Sequence, residues 1–595
     1  MSIFVLHFRL SIPFLHALLA ALFSISTLLV SVHSRADELL SVEIQGASES
    51  QQQNIIAHLG TPPQAPGQIN SYIAKARERA ITAMVALGYN NADISAEVLR
   101  EQSPIQLVIK VKAGPPTHIS VMDIHASGDA EHDPKFQSFI DEINTHQGAV
   151  LNHGQYESWK SQIQNYARSN GYLAGKWQHH ELLIDAARQQ AEVHLRYDAG
   201  LRHRLGEVQY LGSDVAPELL ARLSPLTPGE YYQSSHLSAL ESSLRRSGYF
   251  ADVLVTPNLD HIEQQQVPVK VALRDAPSHS FKVGLGYVTD TGTRAQFNWR
   301  TPRINRWGHS QETTVRYSAV NPYVNFLYQI PGEDPLTQTY QLMLGLEQND
   351  YGDLSSTLRH AAVISQSTKH KWVWAAQTRW LDESWRLDGL DFQASYLLPG
   401  LTLSRTKRHG PIRDPEEGFM QTYQVEATDK ALGSDGRLVR FTGFWKWLSR
   451  FGDHRLVLKG QAGVNITGID SVEDLAPSLR FFAGGDQSIR GFDYNSLGPT
   501  AEVQTSEGLQ TKVVGGKMLA VGSVEYQYYL SPDWRMAIFT DAGNAFNRHH
   551  FKPVQSVGTG LHWLSPVGAV RIELAYGISE DNPPWRIHIS MGAEL

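Results

Sequence analysis

From Ser280 to the C-terminus, apolar and polar residues alternate. Phe281, Val283, Leu285 and Tyr287 interleave with Ser280, Lys282, Gly284 and Gly286. Val570, Ile572, Leu574 and Tyr576 interleave with Arg571, Glu573 and Ala575. Ile587, Ile589, Met591, Ala593 and Leu595 interleave with Arg586, His588, Ser590, Gly592 and Glu594. A period of two gives an extended chain one apolar and one wet face, so each run predicts a strand. About 17 such runs fit between 280 and 595, the weakest being 389–396, which could be loop. Roughly 20 residues per strand and turn leave room for the ~9–11 that cross a bilayer. Bacterial barrels carry an even strand number. Residues 279–595 are therefore expected to form a 16-stranded antiparallel transmembrane β-barrel. A soluble propeller or double sandwich would show similar spacing. Polar turns alternating with long loops, and strand text running to the last residue, weigh against it.

The text upstream is different and repeats itself. A short strand ends in glycine at Gly46, Gly128 and Gly212, at intervals of roughly 80 residues. Helical text follows and ends in a Gly-aromatic pair: Gly88-Tyr89, Gly171-Tyr172 and Gly248-Tyr249. Ile73, Ala76, Ala80, Met84 and Leu87 share one helical face, as do Leu237, Leu240 and Leu244. The glycines suit helix C-caps. Alternating strand text closes each unit, as in Val108-Ile109-Lys110-Val111 and Val193 to Tyr197. The spacing predicts β-α-α-β-β three times, over 39–115, 116–200 and 201–277. This α+β unit resembles the polypeptide-transport-associated (POTRA) domain. Its exposed sheet edges offer an extended polypeptide a place to add as a strand.

The N-terminus and composition narrow the compartment. His7 and Arg9 precede an apolar run from Leu10 to Val32, then Ser34-Arg35-Ala36. Residues 1–36 read as a secretory signal peptide, with cleavage expected after Ala36. The chain has no cysteine, which removes disulfides, thiolate zinc sites and cysteine nucleophiles. A net charge of −8 without a basic run argues against nucleic acid as a partner.

One irregular stretch, Phe481 to Phe492, interrupts the strand text with Gly484, Gly485 and Gly491 around a lone Arg490. Further on, the run from Trp534 puts Arg535, Ala537, Phe539, Asp541 and Gly543 on one face. Trp534, Met536, Ile538 and Thr540 lie on the other, which suits lipid, so Asp541 is expected in the lumen. A carboxylate there needs water or a cation, and Arg490 can supply a planar fork if its loop folds inward.

Ile489-Arg490-Gly491-Phe492 resembles the (V/I)-R-G-(F/Y) loop signature of the outer-membrane insertase and two-partner-secretion superfamily. Phe539-x-Asp541-x-Gly543 resembles its paired strand motif. The resemblance implies periplasmic POTRA domains and a barrel in the outer membrane of a Gram-negative bacterium. It also implies a sixth extracellular loop whose arginine reaches the barrel wall. Three POTRA units at this length are similar to the outer-membrane subunits of translocation and assembly modules. That implies a TamB-like inner-membrane-anchored partner and unfolded outer-membrane client proteins, such as autotransporter-like β-barrels, released into the lipid bilayer. Phospholipid transport to the outer membrane with the same partner is the alternative. A two-partner-secretion pore is another, although two POTRA units and a plug helix would be expected of it. The first strand, from Ser280, and the last, to Leu595, would form a weak seam, with Gly592 letting the last strand bend. The family's last strand usually ends in Phe or Trp, and here it ends in Leu595.

No enzyme is expected. Gly515-Gly516-Lys517 lacks the rest of a phosphate loop. His179-His180 and His549-His550 are poorly spaced for chelating a metal. No Gly-x-Ser-x-Gly or His-Glu-x-x-His motif occurs, and no cofactor is implied.

Overall fold

The computed structural model describes residues 39–592 except 103, 352, 388, 470, 506–507, 549, 567 and 580–583. The proposed signal peptide and Leu595 lie outside the described residues. No helix among the described residues is long and apolar enough to cross a membrane.

Residues up to His203 form one compact unit and those from Arg204 another. The first unit holds two of the three α+β repeats. In the first, strands Leu40–Gln45, Asp93–Leu99 and Ile105–Lys112 form a sheet with the third strand central, parallel to the first and antiparallel to the second. Helices Glu49–Leu59 and Pro66–Ala86 cover one face, burying Ile55, Leu59, Ala76, Ala80 and Met84 against Leu107 and Ile109. Ser48 caps the first helix in a reciprocal capping box with Gln51. The second repeat has the same order, with strands His118–Ser127, Lys176–Asp185 and Gln190–Asp198 and helices Pro134–Asn144 and His153–Ser169. The third, in the second unit, uses strands Arg204–Leu211, Phe250–Pro257 and Gln266–Asp275 and helices Pro217–Leu223 and Ser234–Ser247.

The glycine that recurs at the end of each opening strand has a steric cause. Gly46, Gly128 and Gly212 all have φ near +80° (80, 78 and 87). A Cβ would lie 2.3 Å from the Val111 carbonyl oxygen, 2.7 Å from that of Gly200 and 2.4 Å from that of Leu273. The opening strand thus turns away directly against the backbone at the end of the closing strand, and only glycine fits.

The exposed sheet face of the second repeat carries a charge network. His194 Nδ1 lies 3.3 Å from Asp123 and its Nε2 3.2 Å from Glu192. Both ring nitrogens can donate only in the imidazolium. The Glu192 hydrogen bond, and then Asp123, raise the His194 pKa above its ordinary 6.5 against partial burial. A raised folded-state value stabilises the domain below the unfolded pKa, and that stability is lost as pH rises through the folded one. Solvent screens the pair, so at most about 1 kcal/mol is expected. NMR titration of the 39–203 segment should find His194 titrating above 6.5. His194→Gln should flatten the loss of thermal stability as pH rises through that value.

The second unit is dominated by the barrel. Its sheet contains sixteen strands paired antiparallel in sequence order, from Ser280–Val288 to Trp585–Gly592. Apolar residues of alternating positions face outward, including Phe281, Val283, Leu285, Leu342, Leu344, Met536 and Ile538. Two further runs, Thr500–Thr505 and Gly508–Val513, form a separate hairpin in the long connection between the eleventh strand (His454–Thr467) and the twelfth (Met518–Ser531). The stretch 389–396, read as possible loop, instead opens the eighth strand, Leu390–His409. Its apolar side chains Ala394, Tyr396 and Leu398 turn inward and pack on Leu475, Ala476 and Leu479 of the long connection. That packing comes from a distant segment and leaves no local signal. The third repeat is tied to turns of the barrel. Arg303 pairs with Asp214 and Asp275, Arg222 donates to the Gly332 carbonyl, and Tyr249 donates to that of Gly308.

Candidate functional site

The connection between the eleventh and twelfth strands folds back into the barrel, and Arg490 is its deepest cation, 2% exposed. Two anchors hold it. At one wall, the buried carboxylate of Glu383 accepts from the Ser478 amide (3.1 Å) and hydroxyl (2.6 Å). Arg480 braces the same segment by donating to the carbonyls of Glu473, Leu475 and Val514.

At the opposite wall lies Arg490, whose fork is fully used. Its Nε and Nη2 each reach Asp541 at 2.8 Å, a bidentate pair. Nη1 donates to Glu525 at 2.7 Å and to Glu573 at 3.1 Å, and Nη2 also donates to Ser523 at 3.2 Å. These are five bonds from five N–H groups. The Arg490 amide adds a sixth, 3.0 Å to Asp541. The guanidinium lies 3.4 Å over the Phe539 ring, a cation–π contact.

The wall is assembled by register. Ser523 and Glu525 of the twelfth strand stand opposite Asp541 and Phe539 of the thirteenth, Trp534–Phe546. Phe539 stands opposite Gly558 of the fourteenth strand, where a Cβ would lie 2.2 Å from the ring. Gly543 has φ +150°, and a Cβ there would lie 2.2 Å from the Ala520 carbonyl oxygen. The two strands thus approach too closely for any side chain at 543. Asp541 and Phe539 are buried inward, and Trp534, Met536 and Ile538 face outward. Ile489 and Phe492, flanking Arg490 and Gly491, are buried in an apolar cluster with Phe481, Leu497 and Val521.

Several contacting residues escaped the sequence reading. Glu525, Glu573, Ser523 and His562 carry no motif. Glu573 was legible as lumenal from alternation, but its partner was not. Glu525, His562 and Glu573 bring ligand atoms within 4.8 Å of one another. Nη1 of Arg490 already donates to both carboxylates, so the protein supplies the cation there itself.

The final feature is the seam. The first and last strands share no ladder among the described residues. Among the described residues, hydrogen bonds join the two edges at Thr289, just after the first strand: its amide donates to the Ile589 carbonyl (3.2 Å), and the Ile589 amide donates to Thr289 Oγ1 (2.7 Å). Gly592 is the last residue paired with the fifteenth strand, opposite Ala569.

Sixteen antiparallel strands with an outward apolar face, an inward arginine loop and POTRA repeats define an outer-membrane β-barrel protein with periplasmic POTRA domains. The profile of the Omp85 superfamily domain matches residues 275–594, so the chain belongs to the Omp85 superfamily. Its members are transporters and insertases, not enzymes, and neither is this chain. A profile for the first POTRA domain of TamA matches residues 41–113. A POTRA profile described as a surface antigen variable number repeat matches 203–274. The chain is 20% identical over 149 residues to the outer membrane protein assembly factor BamA of Buchnera aphidicola, a match covering 25% of this chain and 24% of that protein. It thus spans about a quarter of that relative's length. The crystal structure of BamA from Haemophilus ducreyi lacking POTRA domains 1–3 superposes with a TM-score of 0.70 at 17% identity, covering 80% of this chain and 99% of that one. This last likeness concerns the fold.

Proposed function

We propose that this chain is a TamA-like assembly factor that inserts or secretes client proteins at the outer membrane, working with a TamB-like inner-membrane-anchored partner. The observation carrying this reading is the seam. A barrel edge in lipid leaves N–H and C=O groups unsatisfied at several kcal/mol each. Here the edge of Ser280–Val288 has no ladder partner among the described residues. An incoming client strand can satisfy that edge by pairing with it. The three POTRA units and the match to the first TamA POTRA domain favour the TamA-like member. No nucleotide is needed, because client folding supplies the free energy.

A chain without cysteine makes the test clean. Cysteines at Thr289 and Ile589 should lock the seam under oxidising conditions. In liposomes, assembly of an unfolded β-barrel client should then fall at least tenfold and recover on reduction. Unchanged assembly by the locked barrel overturns the reading.

A further inference from the structure

The arginine loop touches more than the wall that holds Arg490. It also bonds to both free edges of the barrel sheet. On the first-strand side, Asp290 sits in the turn after Ser280–Val288, and its Oδ2 accepts from the Asp486 amide at 2.6 Å. On the last strand, His588 Nε2 accepts from the Gly491 amide at 3.1 Å. Arg586 of the same strand pairs with Asp493. His588 and Asp290 also face each other directly, Nδ1 to Oδ1 3.8 Å, and both side chains are almost fully buried. Nε2 accepts a bond, so the neutral ring carries its proton on Nδ1, the nitrogen turned to Asp290.

These contacts cluster beside the hydrogen bonds of Thr289 with Ile589 that join the two edges. Along Ser280–Val288, the first strand has no ladder partner on that side among the described residues. A polar cavity of about 220 Å³ lies at the Val288 end of this stretch, lined by Val288 from one edge and Ser590 and Met591 from the other. The last strand therefore has room to move inward below the clasp.

We propose that the arginine loop is the latch of the seam, with Asp290 and His588 as the positioning residues that couple them. Each seam edge accepts a backbone N–H from the same loop, so the outer end of the seam parts only when the loop lets go. Arg490 and its carboxylates set how firmly the loop is held. Asp290 and His588 transmit that hold to the seam. This rests on the insertion reading above, but its test reads seam geometry and not client assembly, so either can fail alone.

Spin labels placed at Tyr287→Cys and Met591→Cys, outward-facing positions beside the Thr289–Ile589 contact, report the distance across the seam in the full-length protein in liposomes. Asp290→Ala and His588→Ala should each raise the population of the longer distance at least threefold. Asp290→Asn and His588→Gln retain an acceptor and should stay within a factor of 1.5 of the parent. A purely structural role would not separate alanine from these isosteres. Alanine variants with the parent's distance distribution overturn the proposal, as do isosteres that open as far as alanine. If the alanine variants fail to fold, hydrogen exchange of the unsubstituted protein decides. Peptides covering 484–492 and 585–592 should exchange within twofold of one rate. A last strand exchanging tenfold faster than the loop overturns the latch.

Discussion

Arg490→Ala is expected to leave a barrel that forms, with its loop detached from the wall and client assembly reduced at least tenfold. The substitution strands Asp541, Glu525 and Glu573, all within 3.1 Å of the guanidinium and all buried. Removing one partner of a buried ion pair costs about 3–5 kcal/mol, because the other charge is left uncompensated. Here three carboxylates lose their shared cation, so the upper end of that range applies. Arg490→Lys should rescue little. Lysine offers three donors on a point charge and cannot form the bidentate pair with Asp541 while also reaching Glu525 and Glu573. Two measurements check this: protease cleavage within 468–517, which should accelerate in both variants, and client assembly in liposomes. A loop as protected as the parent's, with normal assembly, would remove Arg490 from the mechanism.

Gly543→Ala is expected to damage the barrel itself. The added Cβ would meet the Ala520 carbonyl oxygen at 2.2 Å and the Val521 Cα at 2.6 Å, both of them backbone. No side-chain rotation relieves such contacts, so the twelfth and thirteenth strands must separate. The positive φ adds backbone strain for any residue with a Cβ. The cost should reach or exceed the ~3 kcal/mol upper end of overpacking. Spreading these strands also moves Ser523 and Asp541, which stand opposite each other and both hold Arg490. Loss of the heat-modifiable folded band on electrophoresis, or a Tm lowered by several degrees, would register the effect. A parent-like Tm would show that the sheet can widen there freely.

The contrast between these sites and the rest of the chain follows from the range of the interactions. Alternation is a local property: a strand with one face in lipid must place an apolar residue at every second position, so Phe281 to Tyr287 and Trp534 to Ile538 announced strands and their outward faces. The recurring glycines likewise announced three repeats, because the steric conflict at Gly46, Gly128 and Gly212 is the same in each. Arg490 and Asp541 were legible as a candidate pair because alternation puts Asp541 in the lumen, where a carboxylate needs a cation, and a lone arginine lies in the glycine-rich loop. The strand text at 389–396 was ambiguous because its inward apolar face answers to Leu475 and Leu479, some 80 residues on.

The sequence by itself determined the strand periodicity, the three repeats, the sided placement of Asp541 and the identity of the loop arginine. Only the tertiary structure decided which groups surround that arginine and what the loop holds. Glu525 and Glu573 become its partners because antiparallel register carries them to the same height on neighbouring parts of the wall. Asp290 reaches Asp486 across 196 positions of sequence, and His588 reaches Gly491 across 97. No local pattern encodes such meetings. They exist because curling sixteen strands around a lumen brings the first and last edges together beneath one loop.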